Sequence, residues 1–209
     1  MTKSRLEAFS DGVLAIILTI MVLELHWPKD ASWPALLALL PGLLSYALSF
    51  VFIGIYWVNH HHTFQAVHKV NGAVLWANLH LLFWLSLVPY GTGWMAEGGT
   101  AVLPVFFYGC ILLASGTSYT ILTKALIRSE GPDSVLAQAI GKDRKGRLSV
   151  VLYSAALLLV WLDARLAYAL YVVVACIWLV PDTRIEKRLQ HSKGLASKVP
   201  SGDGNFNEE

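Results

Sequence analysis

The sequence is poor in charge. Charged side chains make up only 14% of the 209 residues, whereas apolar residues make up 56%. Soluble globular domains carry roughly a quarter charged residues, so this composition excludes a soluble domain and indicates an integral membrane protein. A chain of this length holds several membrane spans and leaves no room for a separate globular domain.

Cysteine is scarce, and no catalytic motif is present. Cys110 and Cys176 both lie inside apolar runs, which favours packing roles over a disulfide or a metal site. The sequence contains no phosphate-binding loop, no HExxH pair, no dinucleotide fingerprint and no serine–histidine–aspartate arrangement in a catalytic context. We therefore expect no enzyme activity and no cofactor.

Long apolar segments make up most of the sequence. A spanning helix needs roughly 20 apolar residues, and six candidates occur, at about 8–25, 33–58, 70–90, 101–123, 148–162 and 166–180. The last two are short and are separated only by residues 163–165, so they form either one broken helix or a hairpin. We favour the hairpin, because one continuous span would be about twice the length that a bilayer needs. No acidic residue lies deep in the second to sixth segments. A proton-coupled carrier would need such a residue to bind and release protons, so the sequence argues against one.

The basic residues orient these segments. Of the 16 Lys and Arg side chains, only Lys29 and Arg165 fall on one side of a six-span arrangement, and all the others fall on the side of the termini. This positive-inside bias predicts that both termini are cytoplasmic, and it supports six spans over five. We predict a six-helix transmembrane domain over residues 1–189. Residues 190–209, rich in Ser, Gly, Lys and Asn, are predicted to form a disordered cytoplasmic tail.

The first segment carries both charge and an apolar stripe. Ile20, Leu23 and Thr19 lie within about 60° of Ile16 on an ideal helical wheel, whereas Asp11 lies about 140° away. The stripe and the carboxylate therefore face different partners, and Asp11 needs donors within the protein. The simpler interpretation assigns the stripe to ordinary packing or lipid contact and Asp11 to the positive end of the helix dipole.

Other polar residues lie close to the predicted spans. Asn59 and His60–His62 follow the second segment and are interpreted as interfacial residues, of which one or two can reach Asp11. Asn78 and His80 lie within the third segment, where they need hydrogen-bond partners. Tryptophans near predicted helix ends, including Trp57, are typical of interfacial anchors. The Thr92-Gly93-Trp94 stretch differs from the filter loop of ordinary potassium channels and is predicted to be an external turn.

The first segment resembles the signature of the transmembrane protein 175 family. Arg5-x-x-x-Phe9-Ser10-Asp11-Gly12 and the following residues 14–20 carry this resemblance, and it continues through residues 56–61, 75–79, Pro89 and 178–186. The resemblance implies an all-α, potassium-permeable channel with six helices per subunit. It also implies that bacterial members assemble as homotetramers in the inner membrane, with the first helix of each subunit lining the central pore.

The resemblance also implies roles for individual residues. The pore constriction would consist of Ile16, Ile20 and Leu23 with a threonine layer at Thr19, so that potassium ions pass transiently near Thr19 and Ile16. A network packed inside the subunit would hold the pore helix, and its members would be Arg5, Phe9, Ser10, Asp11, His60 or His61, Trp76 and Asn78. Expected partners are potassium ions, the lipid bilayer and further copies of the chain, without nucleic acid.

Two other functions stay open. A secondary transporter would show inverted repeats and a polar site at the membrane midplane, and the sequence shows neither clearly. A non-transporting membrane assembly protein would use the basic surface to hold anionic lipid or a partner.

Overall fold

The computed structural model describes residues 2–141 and 143–179. All the regular secondary structure of these residues is helical. The helices are α1 (Lys3–Leu23), α2 (Trp33–Ala38), α3 (Leu40–Gln65), α4 (Gly72–Ser86), α5 (Val88–Gly98), α6 (Val102–Glu130), α7 (Val135–Ile140), α8 (Arg144–Leu159) and α9 (Ala164–Leu179). The predicted all-α class is thus confirmed for these residues. The tail predicted over 190–209 and most of the 178–186 match lie outside them.

Four helical stretches are long and apolar enough to cross a membrane: α1, α3, α4 together with α5, and α6. α9 is apolar but shorter, and α8 carries three cations in its first turn. α8 and α9 pack against each other as the hairpin that the sequence favours.

Local sequence explains where several helices begin. The side chains of Ser32, Asn71, Ser134 and Asp143 each accept a hydrogen bond from a backbone N–H in the first turn of α2, α4, α7 and α8, which satisfies donors that have no partner inside a helix. Pro41 and Pro89 lie in the first turns of α3 and α5, where a missing N–H costs nothing. One helix ends and the next begins at Leu39, between α2 and α3, and at Leu87, between α4 and α5.

The helices continue through two segments of lower hydropathy. α3 runs on to Gln65, past the predicted span end near Val58, so His60–His62 belong to the helix. The prediction of an external turn at Thr92–Trp94 is wrong, because these residues lie in the middle of α5. The glycines there serve packing, since a Cβ on Gly91 would lie 2.9 Å from Ile111 and 3.2 Å from Tyr108 of α6.

Small residues also bring α6 and α9 together. A Cβ on Gly109 would collide with the hydroxyl of Tyr171, which donates to the backbone carbonyl of Val105 over 3.0 Å. Close approach at glycine is a common way for membrane helices to pack, because lipid provides no hydrophobic drive for their association. The resulting core holds α1 against α3, α4 and α5.

Candidate functional site

α1 has two different long faces. Its buried face consists of Leu6, Ser10, Leu14, Ile17 and Met21, spaced three or four residues apart as one side of a helix requires. These residues contact α3, α4 and α5. The rest of the helix surface is open within one subunit.

The predicted pore stripe lies on that open surface. Ile16 is 58% exposed, Ile20 42% and Leu23 78%, and Thr19 is exposed beside them. The Thr19 hydroxyl donates to the carbonyl of Ile16 over 2.9 Å, so the lone pairs of its Oγ1 atom stay available to a cation. The structure thus brings all four residues onto one side of α1.

A buried chain of hydrogen bonds ties α1 to two other helices. His60 Nε2 of α3 donates to Asn78 Oδ1 of α4 over 2.9 Å, and Asn78 Nδ2 donates to Ser10 Oγ of α1 over 2.9 Å. Ser10 in turn donates to the carbonyl of Leu6 over 2.9 Å. All three side chains are buried. Water is excluded there, and these hydrogen bonds satisfy the polar groups in its place. His60, rather than His61, is the histidine in this network.

Asp11 has a partner on a neighbouring helix. Trp57 Nε1 of α3 donates to Asp11 Oδ1 over 3.0 Å, although the position of Trp57 near a predicted helix end favoured an interfacial anchor. The Trp57 ring stacks against His61 with centroids 6.4 Å apart, and His61 Nε2 lies 2.8 Å from Gln65 Nε2. A second, exposed contact therefore joins α1 to the same helix as the buried chain.

Four residues expected in the network are exposed in one subunit. Arg5 and Asp11 are exposed, and Phe9 is 48% exposed on the side of Ile16 rather than packed inside the subunit. Trp76 is 75% exposed on α4. Within one subunit, only Ser10 of the Phe-Ser-Asp motif packs inside.

The C-terminal end of α1 also packs closely against α5. A Cβ on Gly93 would lie 2.7 Å from Glu24 Oε2, and His26 Nε2 lies 3.8 Å from Glu97 Oε1. An open groove between these helices includes Ile16, Ile20 and Tyr90. Among the described residues, no group of three His, Cys, Asp or Glu side chains is arranged to hold a metal ion.

These features define a multi-pass, all-helical membrane protein whose first helix is packed on one face and open along an apolar stripe on another. Comparisons with known proteins place it more narrowly. The family model described as "Endosomal/lysosomal potassium channel TMEM175" matches residues 5–89. A potassium channel from Chryseobacterium sp. (strain P1-3) is 52% identical over 192 residues, which are 92% of this chain and 100% of that protein.

A solved structure and an animal relative extend the comparison. The crystal structure of a lysosomal potassium-selective channel TMEM175 homolog from Chamaesiphon minutus matches with a TM-score of 0.78 at 31% identity, over 86% of this chain and 97% of that chain. The endosomal/lysosomal proton channel TMEM175 of Homo sapiens is 37% identical over 86 residues, which are 35% of this chain and 17% of that protein. The chain belongs to the TMEM175 family.

Proposed function

We propose that this chain is one subunit of a homotetrameric, potassium-permeable channel in a bacterial inner membrane. The observation that carries the proposal is the open apolar stripe of Ile16, Ile20 and Leu23 on α1, whose other long face is packed in the core. In a tetramer with α1 at its centre, four such stripes surround one path. The names of the bacterial relatives, potassium channel and potassium-selective channel, support potassium as the permeant ion.

We assign six membrane crossings to α1, α3, α4 with α5, α6, α8 and α9, with both termini cytoplasmic. α8 and α9 have 16 residues each, which reach about 24 Å at 1.5 Å per residue, somewhat less than a hydrocarbon core of about 30 Å. Lys29 and Arg165 then lie outside, and the cations of α6 and α8 lie at the cytoplasmic end. This placement follows the positive-inside rule.

The apolar stripe would act as both constriction and gate. A ring of four Ile16 side chains offers no hydrogen bonds to water, so a narrow pore there empties of water and stops ions. Opening requires the rings to move apart, and Thr19 hydroxyls one turn away then supply oxygen atoms to a passing potassium ion. Hydroxyl oxygens are suitable ligands for such a cation because they replace part of its hydration shell.

The contacts on the other sides of α1 would position this gate. The Ser10–Asn78–His60 chain lies about 9 Å along the axis from Ile16, since six residues separate Ser10 from Ile16. It fixes the rotation of α1 relative to α3 and α4, and thereby determines which side chains point toward the central path. Arg5, Phe9 and Trp76 are exposed in one subunit, and we assign them to contacts between subunits.

Ion flux across liposome membranes tests the function. Purified protein in vesicles with an outward potassium gradient should pass potassium, with sodium passing more slowly. A proton-sensitive dye measures proton entry in the same vesicles, because the human relative is named a proton channel. Potassium flux no faster than in protein-free vesicles would contradict the proposal. Saturable flux coupled to a second solute would favour a transporter instead.

A further inference from the structure

A patch of cations lies where α6 ends and α8 begins. It consists of Lys124 and Arg128 on α6 and Arg144 and Arg147 on α8, all exposed. Lys124 and Arg128 are four residues apart, and Arg144 and Arg147 are three apart, so each pair shares a side of its helix. α6 packs against α8, so the two pairs lie at one end of the same helix pair.

The internal cavity between these helices fixes their relative depth. Thr123 of α6 and Gly146 of α8 line the same cavity, which also contacts α3 and Trp178 of α9. Lys124 and Arg147 directly follow these two residues in the chain. The four cations therefore lie at a similar depth, as the headgroup layer of one leaflet requires.

No carboxylate forms an ion pair with this patch within the part of the chain that the structure describes. None of the four cations takes part in the ion pairs found there. Two nearby acidic side chains have other partners. Glu130 accepts hydrogen bonds from the backbone N–H groups of His68 and Lys69, and Asp143 accepts one from the backbone N–H of Gly146 over 3.0 Å.

Apolar side chains continue both cationic faces toward the membrane interior. Ile121 is exposed one turn before Lys124, and Val151 is exposed one turn after Arg147. Because α6 runs toward this end and α8 runs away from it, both side chains lie on the membrane side of their cations. A surface with cations at headgroup level and aliphatic groups below them is complementary to an anionic phospholipid, headgroup and acyl chain together.

We propose that the α6–α8 cation patch is a binding site for an anionic phospholipid of the leaflet that it faces. The phosphate contacts the four cations, and an acyl chain lies along Ile121 and Val151. Arginine suits this role because its guanidinium binds a phosphate through two parallel hydrogen bonds. The site is separate from the open stripe of α1, and its binding is measurable whether or not the protein conducts ions.

Native mass spectrometry of the purified full chain provides the direct test, with phosphatidylglycerol as the probe and phosphatidylcholine as the uncharged comparison. The wild-type protein should retain phosphatidylglycerol in preference to phosphatidylcholine. A variant with Lys124→Gln, Arg128→Gln, Arg144→Gln and Arg147→Gln should bind phosphatidylglycerol at least about tenfold more weakly, since each cation near an anionic surface contributes to binding. Lys29→Gln with Arg165→Gln, which removes two cations at the other end, should leave binding unchanged.

Further variants keep the proposal falsifiable if the variant with four glutamine substitutions (the fourfold variant) folds poorly. Arg144→Gln with Arg147→Gln should lose part of the binding, and Arg144→Lys with Arg147→Lys should retain more of it than the glutamine pair. Equal lipid retention by wild type and the fourfold variant would overturn the proposal. So would an equal loss in the Lys29/Arg165 control. Displacement of the lipid by millimolar inorganic phosphate would show that the patch binds free phosphate, and would also contradict it.

Discussion

The two faces of α1 differ in what they contact, although they belong to one helix of 21 residues. The buried face has Leu14 and Met21 packed in the core and Ser10 in a closed chain of hydrogen bonds. The open face has Ile16, Ile20 and Leu23 without such contacts in one subunit. This difference supports the proposal that Ser10 helps to hold the helix, whereas the aliphatic residues of the open face line the ion path.

The largest expected effect on stability comes from the buried face. Leu14→Ala removes a side chain that is 1% exposed and leaves a cavity, so the free energy of unfolding should fall by about 2 kcal/mol or more. Thermal unfolding of the detergent-solubilised protein measures it. Leu23→Ala, at 78% exposure, should cost less than about 0.5 kcal/mol. Equal losses in both variants would remove the distinction between the faces.

A smaller loss is expected when the buried hydrogen-bond chain is broken. Asn78→Leu keeps the volume but leaves His60 and Ser10 without their partner, which should cost about 1–2 kcal/mol. The unfolding midpoint should fall, while potassium-to-sodium selectivity in vesicles stays the same. Trp76→Leu is the matched change on the exposed side of α4 and should leave the midpoint of the isolated subunit nearly unchanged. A selectivity change in Asn78→Leu with an unchanged midpoint would show that Asn78 contacts ions.

The smallest effect is expected at the exposed contact between Trp57 and Asp11. Trp57→Phe removes the N–H donor but keeps an aromatic ring beside His61, so the cost should be about 0.5 kcal/mol. A double-mutant cycle with Asp11→Asn isolates this interaction from other effects of each change. A coupling energy indistinguishable from zero would mean that the Trp57–Asp11 bond does not help to hold α1.

Helix geometry alone places Ile16 and Asp11 on different sides of α1, but it does not show that Asp11 is exposed in one subunit rather than packed inside it. The sequence also places Ser10, His60 and Asn78 among the candidate partners, since polar groups inside a bilayer need one another. It does not identify Trp57 as the partner of Asp11, because a tryptophan near a helix end is typical of an interfacial anchor.

The helices extend through two segments of lower hydropathy, at His60–His62 and around Gly91–Gly93, for a common physical reason. Neither contains a residue that must end one, and tertiary contacts continue the helices: His60 bonds to Asn78, and Gly91 and Gly93 admit neighbouring side chains at close range. Hydropathy averaged along one sequence does not reveal contacts of this kind.

Single-channel conductance of two matched asparagine variants tests the central claim most directly. Ile16 and Val22 are both exposed β-branched residues of α1, but they lie about 120° apart on the helix. If the stripe lines the pore, Ile16→Asn should hydrate the constriction. Potassium conductance should then rise severalfold, with more frequent opening. Val22→Asn should behave as wild type. Unchanged currents in Ile16→Asn, or an equal rise in Val22→Asn, would contradict the assignment of the open stripe to the pore.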